Sequence, residues 1–148
     1  MIYTVRYAHL HELPLLKVAD IVQAGDKIAI AGNTGASAGR HLHIDCVEGA
    51  IDQNWKLIQA ENNQVKSNPR QLNYFIDKGV FDTEIAITTY YCEPEYQIKY
   101  SKVHKAYDVV PKDRLHWDVH WNRTNSGKVV SVGFDKSYGN YLLISFMN

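Results

Sequence analysis

Gly32-Asn33-Thr34-Gly35-Ala36-Ser37-Ala38-Gly39-Arg40-His41-Leu42-His43 is the stretch on which the reading of this chain turns. Small residues run directly into two histidines two positions apart, with Ile44 next. Residues i and i+2 of a β-strand point to the same face. His41 and His43 are therefore expected to share one face, with Leu42 and Ile44 turned to the core. Two imidazoles on one strand face, reached through a loop of small residues, point to a zinc site with room for a substrate. Glycine-rich loops also cradle phosphates, but Gly32–Gly39 lacks the Gly-Lys-Ser/Thr ending and does not open a helix.

The rest of the composition narrows the class. The chain has 148 residues, 45% apolar and 22% charged, which suits one globular domain with a sizeable core. Sixteen basic residues balance sixteen acidic ones, so no general pull toward nucleic acid or an anionic polymer is expected. No apolar run reaches membrane-span length and the N-terminus lacks a basic-then-apolar pattern, so neither membrane insertion nor a signal peptide is expected. Cys46 and Cys92 are the only cysteines and form no CxxC pair, which argues against a structural zinc site. Two buried free thiols are expected, with a disulfide as the alternative.

Periodicity predicts the elements outward from the histidines. Met1–Leu10 alternates as a strand, with Tyr3, Val5, Tyr7 and His9 on one face and Ile2, Thr4, Arg6, Ala8 and Leu10 on the other. Lys17–Gly32 reads as a strand pair turning at Gly25-Asp26, and Arg40–Val47 as the histidine strand. Ile51, Trp55 and Ile58 recur at helical spacing, predicting a short helix over Ile51–Ala60, followed by a polar loop. Asn68-Pro69 reads as an N-cap and first helical position, with Leu72, Phe75 and Ile76 as the apolar face and Gly79 as the stop. Further strands are expected at Ile85–Tyr91, Tyr96–Val103, Val129–Val132 and Tyr141–Phe146. The expected fold class is a mainly β domain of antiparallel sheets with two short helices.

A second constellation joins the first. His104-Lys105-Ala106-Tyr107-Asp108 has an HxxxD spacing. A flat strand would hold the two ends about 13 Å apart, at ~3.3 Å per residue, so a shared metal requires a bend at Lys105–Tyr107. With His9 in Tyr7-Ala8-His9-Leu10, these residues supply three ligands and further histidines, the arithmetic of a catalytic site with an open position. His116 and His120 also have zinc-ligand spacing, yet alternating Trp117, Val119 and Trp121 reads as a strand with structural or groove-lining histidines. His11 is expected at the surface.

Taken together, Tyr7-Ala8-His9-Leu10, Ala24-Gly25-Asp26-x-Ile28-Ala29-x-Ala31-Gly32-Asn33-Thr34-Gly35 and His41-Leu42-His43 resemble the LytM/lysostaphin-type zinc endopeptidases. So do Val103–Pro111, Ser126–Gly133 and Tyr138-Gly139-Asn140-Tyr141. In that family the segments resembling the second group come first, so this chain looks like a circular permutation. The resemblance implies the duplicated-hybrid-motif fold as a single domain over residues 1–148. Residues 1–50 would correspond to the family's C-terminal half, 51–91 to a helical connection joining the old termini, and 92–148 to the N-terminal half. It further implies that Ile2–Leu10 and Tyr141–Phe146 are antiparallel neighbours, with Met1 close to Asn148.

The same resemblance implies one zinc ion per chain on His43, His104 and Asp108, with His9 and His41 as catalytic histidines. Tyr96, with Tyr100 next, is the candidate for holding the oxyanion. The implied activity is metal-assisted hydrolysis of peptide bonds in bacterial peptidoglycan cross-bridges or stems, with peptidoglycan peptide as partner and the bacterial cell wall as the place of action. A phage-derived module, carried by a virion or released at lysis, is the expected setting, and a larger parent protein is equally compatible. A monomer is expected, with a swapped dimer as the alternative. Two other functions compete. One is a non-catalytic peptidoglycan-binding or hydrolase-regulating relative, and the other a carrier module modified at Lys27.

Overall fold

A computed structural model of the chain describes residues 1–52, 54–56 and 65–148. In chain order its elements are β1 (Ile2–Leu10), β2 (Ile21–Val22), β3 (Lys27–Ile30), β4 (Leu42–Glu48), α1 (Pro69–Lys78), β5 (Ile85–Thr89), α2 (Pro94–Tyr100), β6 (Tyr107–Pro111), β7 (Asp118–His120), β8 (Gly127–Asp135) and β9 (Gly139–Met147). Seven strands form one antiparallel sheet in the order β2-β8-β9-β1-β4-β6-β5, and β3 pairs with β7 in a second, two-stranded sheet. The fold is thus mainly β, as expected, with two short helices among the described residues, of which only α1 stands where periodicity predicts one. The central sheet interleaves both ends of the chain. β1 lies between β9 and β4, and the Met1 ammonium donates to the Asn148 carbonyl at 3.3 Å.

Alternation along the strands gives the large sheet two different faces. Val5, Tyr7, Leu42, Ile44, Cys46, Val109, Leu142, Ile144 and Phe146 point into the main core. Leu72, Phe75 and Ile76 of α1 enter it from one element, and Ile28, Ala29 and Val119 of the small sheet from another. Phe75, Trp121 and Phe146 meet edge to face with ring centres 5.4–5.8 Å apart. Such aromatic groups contribute the largest buried areas of a core of this size. The opposite face carries a smaller apolar cluster, Val47, Ile51, Tyr141 and Leu143, and beside it the polar residues Arg6, His43, Asp45 and Asp108.

α1 forms as its ends dictate. The Asn68 side chain accepts from the Gln71 N–H at 2.9 Å, Pro69 occupies the first turn, and Gly79 ends the helix at φ 79°.

Five expectations are corrected. β2 and β3 do not pair with each other, because β2 adds to β8 and β3 to β7. Tyr96–Val103 is not a strand; Pro94–Tyr100 is α2, opened by Pro94 and ended by Ser101 at φ 57°. Tyr96 and Tyr100, one helical turn apart, pack against each other with tilted rings and centres at 4.7 Å, while Ile98 faces outward, 82% exposed. Residues 51–52 and 54–56 of the expected Ile51–Ala60 helix form a bridge and a turn instead, and Gln53 and residues 57–60 lie outside the described residues. Cys46 is buried as expected, but Cys92 is exposed, and both thiols are free.

The fifth correction concerns His9. β1 spends three residues from Tyr7 to Leu10 where β9 spends two, from Leu142 to Asn140. This β-bulge, with His9 at φ 59°, breaks the alternation. Tyr7 and Leu10 both enter the core, and the His9 ring comes out on the polar face.

Candidate metal and catalytic site

Register places the first pair of side chains. His43 on β4 lies directly opposite Asp108 on β6 and, on its other side, opposite Ala8 on β1. Cross-strand neighbours project from the same face, and the small Ala8 leaves that face open above the imidazole. His43 Nδ1 stands 3.1 Å from Asp108 Oδ1.

His104 joins from the segment before β6, where the chain bends at Ala106, and its Nε2 reaches within 3.4 Å of Asp108 Oδ2. Its Nδ1 donates to the Tyr90 carbonyl at 3.2 Å. A carbonyl only accepts, so the proton sits on Nδ1 and the Nε2 lone pair faces the carboxylate. That Nε2 is buried and has no hydrogen-bond partner among the described residues.

Donor atoms of His43, His104 and Asp108 all lie within 4.8 Å of one another. Tetrahedral zinc with bonds of about 2.0–2.2 Å sets neighbouring donors about 3.3–3.6 Å apart. Two nitrogens and a carboxylate oxygen at these separations fit such an ion. Burial raises the Asp108 pKa, but the His104 and His43 imidazoles beside it outweigh burial and hold the carboxyl well below its usual range. For His104, burial alone would lower the pKa, and the Asp108 carboxylate reverses the sign.

His9 and His41 flank this cluster. The His41 Nδ1 donates to the Gly39 carbonyl and the His9 Nδ1 to the Thr34 carbonyl, each at 2.7 Å. Both rings therefore present Nε2 lone pairs when neutral. His41 Nε2 lies 3.7 Å from Asp108 Oδ1, and the His9 ring centre is 5.0 Å from that of His41. Burial lowers the His9 pKa to about 4, only partly opposed by the Thr34 carbonyl. Tyr96 of α2 packs its ring against His104, with centres 4.6 Å apart. His9, His41, His43, His104, Asp108 and Tyr96 all line one open pocket of about 670 Å³. Ala36, Ser37, Ala38 and Gly39 form part of its wall and Lys102 part of another.

The glycine loop is built for close approach. A Cβ on Gly35 would stand 2.2 Å from the Gly139 nitrogen, and one on Gly139 would stand 2.4 Å from the Thr34 carbonyl carbon. The loop and the β8–β9 turn therefore touch backbone to backbone. Thr34 Oγ1 donates to the Leu10 carbonyl and accepts from the Asn140 N–H, while the His9 N–H donates to the Tyr138 carbonyl.

The structure also gathers residues that the sequence reading passed over. Arg6 and Asp45 form a buried two-pronged ion pair on the site face, and the guanidinium lies between the Trp55 and Tyr138 rings. The signal for Asp45 was present, since it continues the i+2 series of His41 and His43. Arg6 becomes visible only once β1 is set against β4. His116 and His120 lie elsewhere. His120 pairs with Asp82 at 2.8 Å, and His116 contacts Asp113. Lys27 pairs with Asp118 at 3.5 Å on the small sheet.

Comparison with known proteins bears on the N-terminal third. Residues 2–55 match the model of Peptidase family M23. A stretch of 43 residues, 29% of this chain, is 46% identical to a protein of Buchnera aphidicola subsp. Baizongia pistaciae named an uncharacterized metalloprotease, covering 11% of it. A stretch of 44 residues, 30% of this chain, is 46% identical to the peptidoglycan DD-endopeptidase ShyB of Vibrio cholerae serotype O1, covering 10% of it. The matches thus span about a tenth of the length of these relatives. No solved structure matches the chain. The family match takes in His9, His41 and His43; His104 and Asp108 lie beyond it.

Proposed function

We propose that this chain is a zinc-dependent endopeptidase domain acting on peptide bonds of bacterial peptidoglycan, of the LytM type with its halves in permuted order. The observation that carries the reading is the convergence of His43, His104 and Asp108, from distant parts of the sequence, with their donor atoms within 4.8 Å and two further histidines alongside. The similarity of residues 2–55 to Peptidase family M23, and the names of the two relatives, support the same chemistry. The adjacency of β1 and β9 and the contact of Met1 with Asn148 support the permutation, with 1–50 and 92–148 as exchanged halves and 51–91 as the new connection.

His43, His104 and Asp108 would hold the metal. When bound, zinc lowers the pKa of a coordinated water and polarises the carbonyl to be cut. Hydrolysis leaves the hydroxyl on the carbonyl carbon and one proton on the departing amine. His41 is suited to carry that proton. Its Nδ1–H is tied to the Gly39 carbonyl, so Nε2 can take the proton from water and return it to the amine. His9, held the same way by Thr34, offers a second Nε2 on a ring centred 5.0 Å from that of His41. Burial keeps that nitrogen unprotonated near pH 7, so it donates to the oxygen that gains charge only after receiving a proton released from the attacking water. The Tyr96 hydroxyl is a further candidate donor at that oxygen.

Metal analysis and wall digestion test the proposal. One zinc per chain and chelator-sensitive release of wall peptides are expected, with His43→Ala reducing cleavage at least ~1000-fold, on the scale of lost metal catalysis. Full lytic activity in a folded His43→Ala variant would sink the assignment.

A further inference from the structure

Reading His43 as a ligand leaves its second nitrogen to be explained. Nδ1 faces Asp108, whereas Nε2 is buried and has no hydrogen-bond partner among the described residues. What Nε2 faces is Asp45, with Oδ1 3.9 Å away.

Asp45 is held firmly in that place. The β1–β4 register sets Arg6 opposite Asp45 and Ala8 opposite His43, so all four share a face. Arg6 Nε donates to Asp45 Oδ1 at 3.0 Å and Nη2 to Oδ2 at 2.8 Å. Both side chains are buried, and the guanidinium is held flat between the Trp55 and Tyr138 rings, 3.7 Å from each centre. A planar fork on a carboxylate is geometrically stiff. A buried ion pair of this kind yields little net stability, because desolvation offsets most of the attraction. Its rigidity, two residues from a candidate ligand, is the more informative property.

An imidazole that offers its Nδ1 lone pair must carry its proton on Nε2. Without a metal, Asp108 Oδ1 at 3.1 Å draws the proton to Nδ1; once a metal takes the Nδ1 lone pair, the fixed carboxylate on the Nε2 side, 3.9 Å away, favours the Nε2–H form. We infer that Asp45, clamped by Arg6, is a positioning residue that keeps His43 as the Nε2–H tautomer and so presents an unprotonated Nδ1 to the space shared with His104 and Asp108. His104 achieves the mirror arrangement through the Tyr90 carbonyl, which holds the proton on Nδ1 and leaves Nε2 free. The two rings thus meet the carboxylate through different nitrogens, each set by a partner behind it. This inference rests on the metal reading above, and its tests separate from it.

Nitrogen-15 NMR of the zinc-loaded wild-type chain at pH 8 reads the His43 tautomer directly. An Nε2–H ring is expected; an Nδ1–H ring overturns the inference, whether or not the chain cuts any peptide. Asp45→Asn is expected to weaken zinc binding about 10–100-fold in chelator competition and to raise the Nδ1–H population. Zinc affinity within twofold of wild type in a folded Asp45→Asn variant also overturns it, because it reduces Asp45 to a structural role. If that variant does not fold, the wild-type tautomer decides. A wild-type chain that binds no zinc would refute the metal reading and this inference with it, whereas a zinc-loaded chain with an Nδ1–H ring would refute the inference alone.

Discussion

His9 shows how one residue can be named correctly and placed wrongly. Its motif marks it as a site histidine, but strict alternation puts it in the core with Val5 and Tyr7. The bulge that rescues it depends on how β9 pairs with β1, and that pairing has no local signature. His43, His104 and Asp108 were named through the family resemblance, with the HxH and HxxxD spacings marking them as candidates. Arg6 was not, because its partner lies 39 positions away. His9 also yields a pH prediction. Its folded pKa, about 4, lies below the ordinary histidine value of 6.5, so the unfolded chain binds more protons between those values. The His9 contribution to stability is therefore present above pH 6.5, lost as the pH falls toward 4, and constant below that. Since His104 shifts the opposite way, the effect is read as a difference. Denaturant unfolding of the metal-free wild type and His9→Asn should show wild type losing stability faster between pH 6.5 and 4. Parallel curves would show that His9 titrates alike in both states.

At the scale of elements, α1 was readable and α2 was not. Asn68, Pro69 and Gly79 mark the ends of α1, and its apolar residues have only a helical period. In α2 the tyrosines at 96 and 100 satisfy period two and the i, i+4 spacing equally, so Tyr96-x-Ile98-x-Tyr100 looks like a strand. Pro94 at the first helical position was the discriminating residue. The glycine loop raises the same issue of local against distant cause. Its composition suggests an open approach to the site, and Ala36–Gly39 do line the pocket, but Gly35 is required by a turn more than 100 residues away. Gly139→Ala should test this contact. A Cβ there meets Thr34 backbone at 2.4 Å on a residue at φ 63°. Left-handed strain and overpacking together should cost at least about 2 kcal/mol. The same variant should lose peptidase activity out of proportion to its loss of stability, because the displaced loop carries the Gly39 carbonyl that orients His41. A thermal melt unchanged from wild type would refute the contact.

For the whole molecule, the sequence conveyed the class, a mainly β domain, and the closeness of its ends. The sheet order was beyond it, since β2 and β3 are consecutive yet serve different sheets. The neighbouring ends make the permutation testable. Joining Asn148 to Met1 through a short Asn-Gly turn and opening the chain between Asp82 and Thr83 should give a protein that folds and binds one zinc. Closing an existing antiparallel pair and cutting a surface bend are both mild changes. Failure of the relinked chain to reach the native fold, judged by circular dichroism and metal content, would count against the permuted order.

The contact between Gly35 and Gly139 bears on when the histidine cluster takes its shape. The loop that orients His41 and the bulge that turns out His9 are both braced by residues 138–140, near the end of the chain described here. A ribosome makes His9 and His41 about a hundred residues before their brace at 138–140. A nascent chain of this order therefore carries the histidines without their final geometry until β9 has emerged and zipped onto β1. The site is thus assembled by strand pairing and not by the local chain that carries its histidines.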